Sequence, residues 1–200
     1  MLGRVKEIQQ PILSKIRKEV AGRRAQNDYP VKFIAIDGHG GSGKSTLANL
    51  LAKEFKAEII HTDDFAFPDH PGELHQRLIS DVFNPIKIGA KTLSYKPTKW
   101  WPDHKPKPVK DQPVTPVMII EGISSTNKKF EPFVIYRIWV ETPRGVCLKR
   151  GMTRDQKQGT EAEIKKLWEK WLDEEDEYYR EHGGKNRVDL VVDGTVNIYE

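Results

Sequence analysis

Residues 38–45 carry the clearest chemistry in this chain. Gly38-His39-Gly40-Gly41-Ser42-Gly43-Lys44-Ser45 matches G-x-x-x-x-G-K-[ST], the Walker A phosphate-binding loop, and it follows an apolar run over 31–36. The glycines let the backbone turn tightly and bring its N–H groups against phosphate oxygens. Lys44 supplies a compact positive charge for the β and γ phosphates, and Ser45 offers a hydroxyl to Mg²⁺. The helix opening there, through Thr46, points its positive dipole end at the anion. Gly38 to Thr46 are therefore expected to bind ATP.

Three further sets of residues follow apolar runs. His61-Thr62-Asp63-Asp64-Phe65 comes after the second run and Glu121-Gly122 after the third. In parallel sheets, working residues gather at the carboxyl ends of strands. A carboxylate ending a buried strand beside a phosphate loop suits Mg²⁺, because hard cations take oxygen ligands, so Glu121 joins Ser45 as the expected metal side. Asp63 and Asp64 point in different directions, so only one can face the γ-phosphate and orient an acceptor hydroxyl. After the fourth run, Arg144, Arg150 and Arg154 lie on a segment that could close over the site and neutralise charge on a transferred phosphoryl group. His39, His61, His70 and His75 match no common zinc spacing, and the carboxylates favour Mg²⁺.

These residues need a framework of alternating strands and helices. Apolar runs at 31–36, 58–61, 117–120, 134–140 and 188–192 read as strands, and 45–55, about 74–83, 144–153 and 161–181 as helices. The predicted class is α/β, a P-loop NTP hydrolase/kinase fold with a central parallel sheet of about five strands flanked by helices, with a lid. In the last helix Ile164, Leu167, Trp168, Trp171, Tyr178 and Tyr179 share one face, with the acidic run 173–177 largely on the other. Residues 95–115 hold five prolines and five lysines and are expected to form a loop or flap.

The net charge of +4 is unevenly placed: residues 1–27 carry seven basic and two acidic side chains, leaving 26 basic and 27 acidic ones over the rest. Residues 1–27 read as an amphipathic basic helix, with Leu2, Val5, Ile8, Ile12 and Ile16 packing on a single kinase domain over 28–200. The near-neutral body argues against nucleic acid as a partner. The spacing of the N-terminal apolar residues is helical, which argues against a signal peptide and a membrane span; with Cys147 the single cysteine, a cytoplasmic location is expected.

With these residues assembled, the chain resembles the uridine kinase family of P-loop small-molecule kinases and, more loosely, the nicotinamide riboside and pantothenate kinases. The likeness runs from about Val31 to Thr195. Thr62-Asp63-Asp64-Phe65 resembles the family's strand-end Asp-x-Phe, which implies that Asp63 is the base. Ile119-Ile120-Glu121-Gly122 is similar to its Mg²⁺-side Glu-Gly. Arg150 to Asp155 is similar to its lid, here 150–160, whose arginines cover the triphosphate. Gln158 stands where a further lid arginine is common, and Ala66 where an aromatic residue is. The resemblance implies ATP- and Mg²⁺-dependent phosphoryl transfer to an alcohol of a small molecule, a nucleoside first, with pantothenate or nicotinamide riboside as alternatives. Asp64, Phe65, Tyr95 and Trp100 are the expected acceptor contacts, Tyr95, Trp100 or Trp101 supplying a ring to stack on a base. A nucleotide-dependent regulator without kinase activity is the alternative from another class. The oligomeric state stays open.

Overall fold

The computed structural model describes residues 2–66, 73–98 and 108–196, and for 2–10 the backbone alone. Its strands, in chain order, are β1 (Lys32–Asp37), β2 (Glu58–His61), β3 (Thr92–Tyr95), β4 (Lys110–Pro113), β5 (Val117–Glu121), β6 (Val134–Glu141) and β7 (Leu190–Asp193). The α-helices are α1 (Leu2–Gly22), α2 (Lys44–Phe55), α3 (Glu73–Leu78), α4 (Asn84–Lys87), α5 (Arg144–Asp155) and α6 (Glu161–His182).

Five strands form one parallel sheet in the order β2-β5-β1-β6-β7. β1 is central, and Phe33 to Ile36 within it are apolar because both of its faces are covered. Phe33 and Ala35 enter one core with Leu78, Val82, Phe83 and Ile86. Ile34 and Ile36 enter the other, with Leu47 and Leu51 of α2 and Ile16 and Val20 of α1. The chain leaves β1 toward one edge of the sheet and β5 toward the other, so a crevice opens between their carboxyl ends. Glu121 is the register partner of Ile36 on one side and of His61 on the other.

Three elements differ from the sequence reading. The ends of the expected flap form an antiparallel ribbon, β3 against β4, with Tyr95 opposite Lys110. Pro113 is accommodated because it lies at the ribbon's end, where a missing N–H costs little. Trp100 and Trp101 lie outside the described residues, as do His70 and the side chains of Leu2, Val5 and Ile8. The helix expected near 74–83 runs from Glu73 to Lys87 with a wide π turn over Ile79–Phe83, where the Asn84 N–H reaches back to the Ile79 carbonyl just before Pro85. α6 starts at a capping box, Thr160 and Glu163, and stops at Gly183, in the left-handed region at φ 95°.

Candidate active site

β1 delivers the chain to the phosphate loop through a buried carboxylate. Asp37 is fully buried, and all its acceptor positions are in use: Oδ1 accepts from Gly38 N (2.8 Å) and Tyr179 OH (2.6 Å), Oδ2 from Thr126 N (3.0 Å) and Thr126 Oγ1 (2.7 Å). A buried carboxylate is tolerable only when donors replace its water, and these fix the loop's start to α6 and to the segment after β5. Gly41 has φ 77°, and a Cβ there would lie 2.5 Å from the Cys147 carbonyl oxygen, so glycine is required. Lys44 is 8% exposed and donates from Nζ to His39 O at 3.1 Å, which holds its charge within the loop.

The expected metal side is assembled by register. Ser45 Oγ donates to Glu121 Oε1 at 3.0 Å, and the other carboxylate oxygen, Oε2, is 2.7 Å from His61 Nδ1. Burial opposes ionisation of Glu121, yet the His61 hydrogen bond and the Lys44 charge overcome it and hold its pKa below the ordinary range. The His61 pKa is raised, first by its hydrogen bond to Glu121. Sequence reasoning had given His61 no place here; the signal available was its position ending the strand next to β5. Ser45 and Glu121 present the hard oxygen donors that Mg²⁺ takes, and both lie beside the loop lysine, so the residues fit that ion.

Asp63 and Asp64 diverge. Asp63 is exposed at its surface, yet the protein around it desolvates the carboxyl and raises its pKa, and Glu121 adds to this, against the charges of Lys44, His61 and Arg154. Asp64 turns toward the ribbon, where its Oδ2 is 3.2 Å from Lys110 Nζ and its carbonyl accepts from Thr98 N at 2.7 Å. Phe65 and Tyr95 are 0% and 4% exposed and pack on each other at 4.7 Å within the core, so neither offers an open face for stacking. The Tyr95 hydroxyl donates to Gln112 Oε1 at 3.1 Å. Trp100 lies outside the described residues.

The arginines also take separate roles. Arg150 Nη1 donates to Gly194 O at 2.9 Å and approaches Gly41 O and Ser42 O at 3.4 Å, bracing the carbonyl side of the loop instead of reaching over the crevice. Helical phase alone could not tell these two directions of a long side chain apart. Arg154 is 65% exposed, forks onto Asp155 (2.9 and 3.1 Å) and lies 5.0 Å over the Trp168 ring, whose Nε1 also donates to Asp155. Gly151 lets α5 and α6 approach this closely, since a Cβ there would sit 2.4 Å from Trp168. A groove of about 440 Å³ between α5 and α6, lined by Leu148, Met152 and Ile164 among others, shares no residue with the loop or these carboxylates.

The acidic run of α6 is not all on the outer face. Glu175 is buried on the same face as Trp168, Leu172 and Tyr179, and its Oε2 accepts the Gly40 N–H at 2.9 Å. Asp176 pairs with His39 at 2.9 Å and with Arg144 at 2.7 Å. The spacing 168, 172, 175, 179 was the available signal for Glu175, masked by four acidic neighbours.

No family model matches the chain, and no match to a curated protein was found. Among solved structures, a possible uridine kinase from Bacillus stearothermophilus superposes with a TM-score of 0.61 at 20% identity, covering 96% of this chain and 98% of the other. A candidate fructose transport system kinase from Silicibacter sp. TM1040 gives 0.63 at 18% identity, covering 92% and 98%. The likeness is one of fold: a central parallel five-stranded sheet flanked by helices, the P-loop kinase architecture. No helix among the described residues is long and apolar enough to cross a membrane.

Proposed function

We propose that the chain is an ATP-dependent, Mg²⁺-requiring phosphotransferase acting on an alcohol group of a small molecule. One observation carries this reading: the carboxyl ends of three neighbouring strands bring Lys44, the Ser45–Glu121 pair and Asp63 to a single crevice. The loop amides and Lys44 would bind the donor phosphates, and Ser45 and Glu121 would hold Mg²⁺. Bound there, the ion would neutralise charge on the phosphate oxygens. Asp63 feels the charge of Lys44 and would orient the acceptor hydroxyl and take its proton; its raised pKa makes it a better base than an ordinary aspartate. Arg154 would leave Asp155 to meet the transferring phosphoryl group.

A nucleoside is the first acceptor class to test, supported by the sequence resemblance. A sugar or other aliphatic alcohol is the second, favoured by the burial of Phe65 and Tyr95 away from any ligand face. A coupled ADP-release screen over nucleosides, vitamins and sugars with Mg·ATP tests the reading, with Lys44→Ala as control. Acceptor-dependent turnover that Lys44→Ala abolishes is expected. Absence of both turnover and Mg·ATP binding in the unaltered chain would overturn it.

A further inference from the structure

Glu175 is a buried carboxylate beside the phosphate loop that the proposed chemistry does not use. It is 9% exposed, and its Oε2 takes the Gly40 N–H at 2.9 Å. A Cβ on Gly40 would lie 3.1 Å from Glu175 Oε1 and 3.0 Å from the Trp168 ring, so glycine leaves the room that brings the carboxylate onto the backbone. Desolvation raises the Glu175 pKa, opposed by the Lys44 charge and by the Gly40 hydrogen bond. One amide of a loop built to receive anions thus already donates to a carboxyl group of the chain itself, close to the loop's own lysine.

We propose that Glu175 is an internal anionic ligand of the phosphate loop: its hydrogen bond fixes Gly40, and its charge limits by repulsion how tightly the loop retains a polyphosphate. It is a positioning residue, and the inference rests on the reading of this loop as a nucleotide site. The bond and the charge act in opposite directions. The bond holds a backbone shape suited to phosphate and so favours binding. The charge competes with phosphate for the same amide and the same lysine. Its release value is kinetic: a loop without this anion would hold ADP longer after transfer. Because Tyr179 bonds Asp37 and Gly38 O, and Asp176 bonds His39, the start of the loop stays fixed when Glu175 alone is changed.

Two substitutions separate the effects. Glu175→Gln keeps size and an acceptor but removes the charge; Glu175→Asp keeps the charge and withdraws it from Gly40. Calorimetric titration of the full chain with Mg·ATP, ADP and AMP at low and high salt reads both, with thermal unfolding as the check on folding. Glu175→Gln should bind Mg·ATP and ADP roughly tenfold more tightly than the unaltered chain, with a smaller change for AMP and a gap that salt alters little, because Glu175 is buried. Glu175→Asp should bind both more weakly. Should Glu175→Gln not fold, Glu175→Met takes its place and must still bind more tightly than Glu175→Asp. Equal or weaker binding by the charge-free variant overturns the inference and leaves the nucleotide site standing. Absence of Mg·ATP and ADP binding in every protein, the unaltered chain included, overturns the nucleotide site and this inference with it.

Discussion

The Ser45 hydroxyl donates to the Glu121 carboxylate across 3.0 Å, although 76 residues separate them in the chain. They meet because Glu121 is paired in register with Ile36, two residues before the phosphate loop begins. If this pair holds Mg²⁺, Glu121→Gln keeps the shape and loses the charge that attracts the cation. Turnover should fall by ~100-fold, with a higher Mg²⁺ requirement at fixed ATP. A Mg²⁺ titration of activity checks this; an unchanged half-saturation would remove Glu121 from the metal side.

His75 makes a separate statement about stability. Its ring is 7% exposed, and neither nitrogen has a hydrogen-bond partner among the described residues. Burial first, then the Lys129 and His182 charges, lower its pKa from 6.5 to about 4. The unfolded chain therefore takes up the proton first as pH falls, so this contribution is complete above pH 6.5 and is lost between 6.5 and 4. The loss is at most ~3 kcal/mol. His75→Leu removes the two unpartnered nitrogens, so it should match or exceed the unaltered chain in stability at neutral pH and lose less on acidification. Urea midpoints at neutral pH and near pH 5 decide it, and an equal acid loss in both proteins would show that His75 is not the source.

Arg154 rests on two partners, Asp155 and the Trp168 ring, that it would have to leave to meet a transferring phosphoryl group. A cation recruited only as charge redistributes contributes mainly to the transition state. Arg154→Ala should therefore lower kcat by ~10- to 100-fold while changing Mg·ATP affinity by less than about threefold. A change confined to affinity would mark Arg154 as a ground-state contact.

The legible parts of this molecule are those whose signal is local. The phosphate loop is contiguous, and the strand that leads into it announces itself by burial on both faces, as Phe33 to Ile36 show. Ser45 and Glu121 could be paired in advance because strand ends collect in parallel sheets. Asp37 could not be read in this way. It looks like an ordinary strand-end acid, and its partners Thr126 and Tyr179 lie 89 and 142 residues away. Glu175 was hidden among its acidic neighbours, although its spacing from Trp168 and Tyr179 puts it on the buried face. The β3–β4 ribbon was obscured by prolines, most of which fall between its paired segments.

Asp63 and Asp64 are adjacent, yet they face different parts of the molecule. Asp63 shares an electrostatic environment with Lys44, Glu121 and Arg154, whereas Asp64 is tied to Lys110 and to the backbone leading out of the ribbon. If Asp63 orients the acceptor hydroxyl, Asp63→Asn should leave Mg·ATP binding nearly intact and cut turnover by ~100-fold or more with any acceptor, the scale of general-base catalysis. Asp64→Asn weakens a partly exposed ion pair, so its effect should be smaller and should fall on acceptor KM and on the ribbon's anchorage more than on kcat. Steady-state kinetics of both variants with the best acceptor, alongside Mg·ATP titrations, separate the two roles. If Asp64→Asn is the inactive one, the base is the neighbour, and the ion pair to Lys110 must open before the acceptor binds. If both variants keep full activity, neither carboxylate takes the proton, and the mechanism proposed for this crevice is wrong.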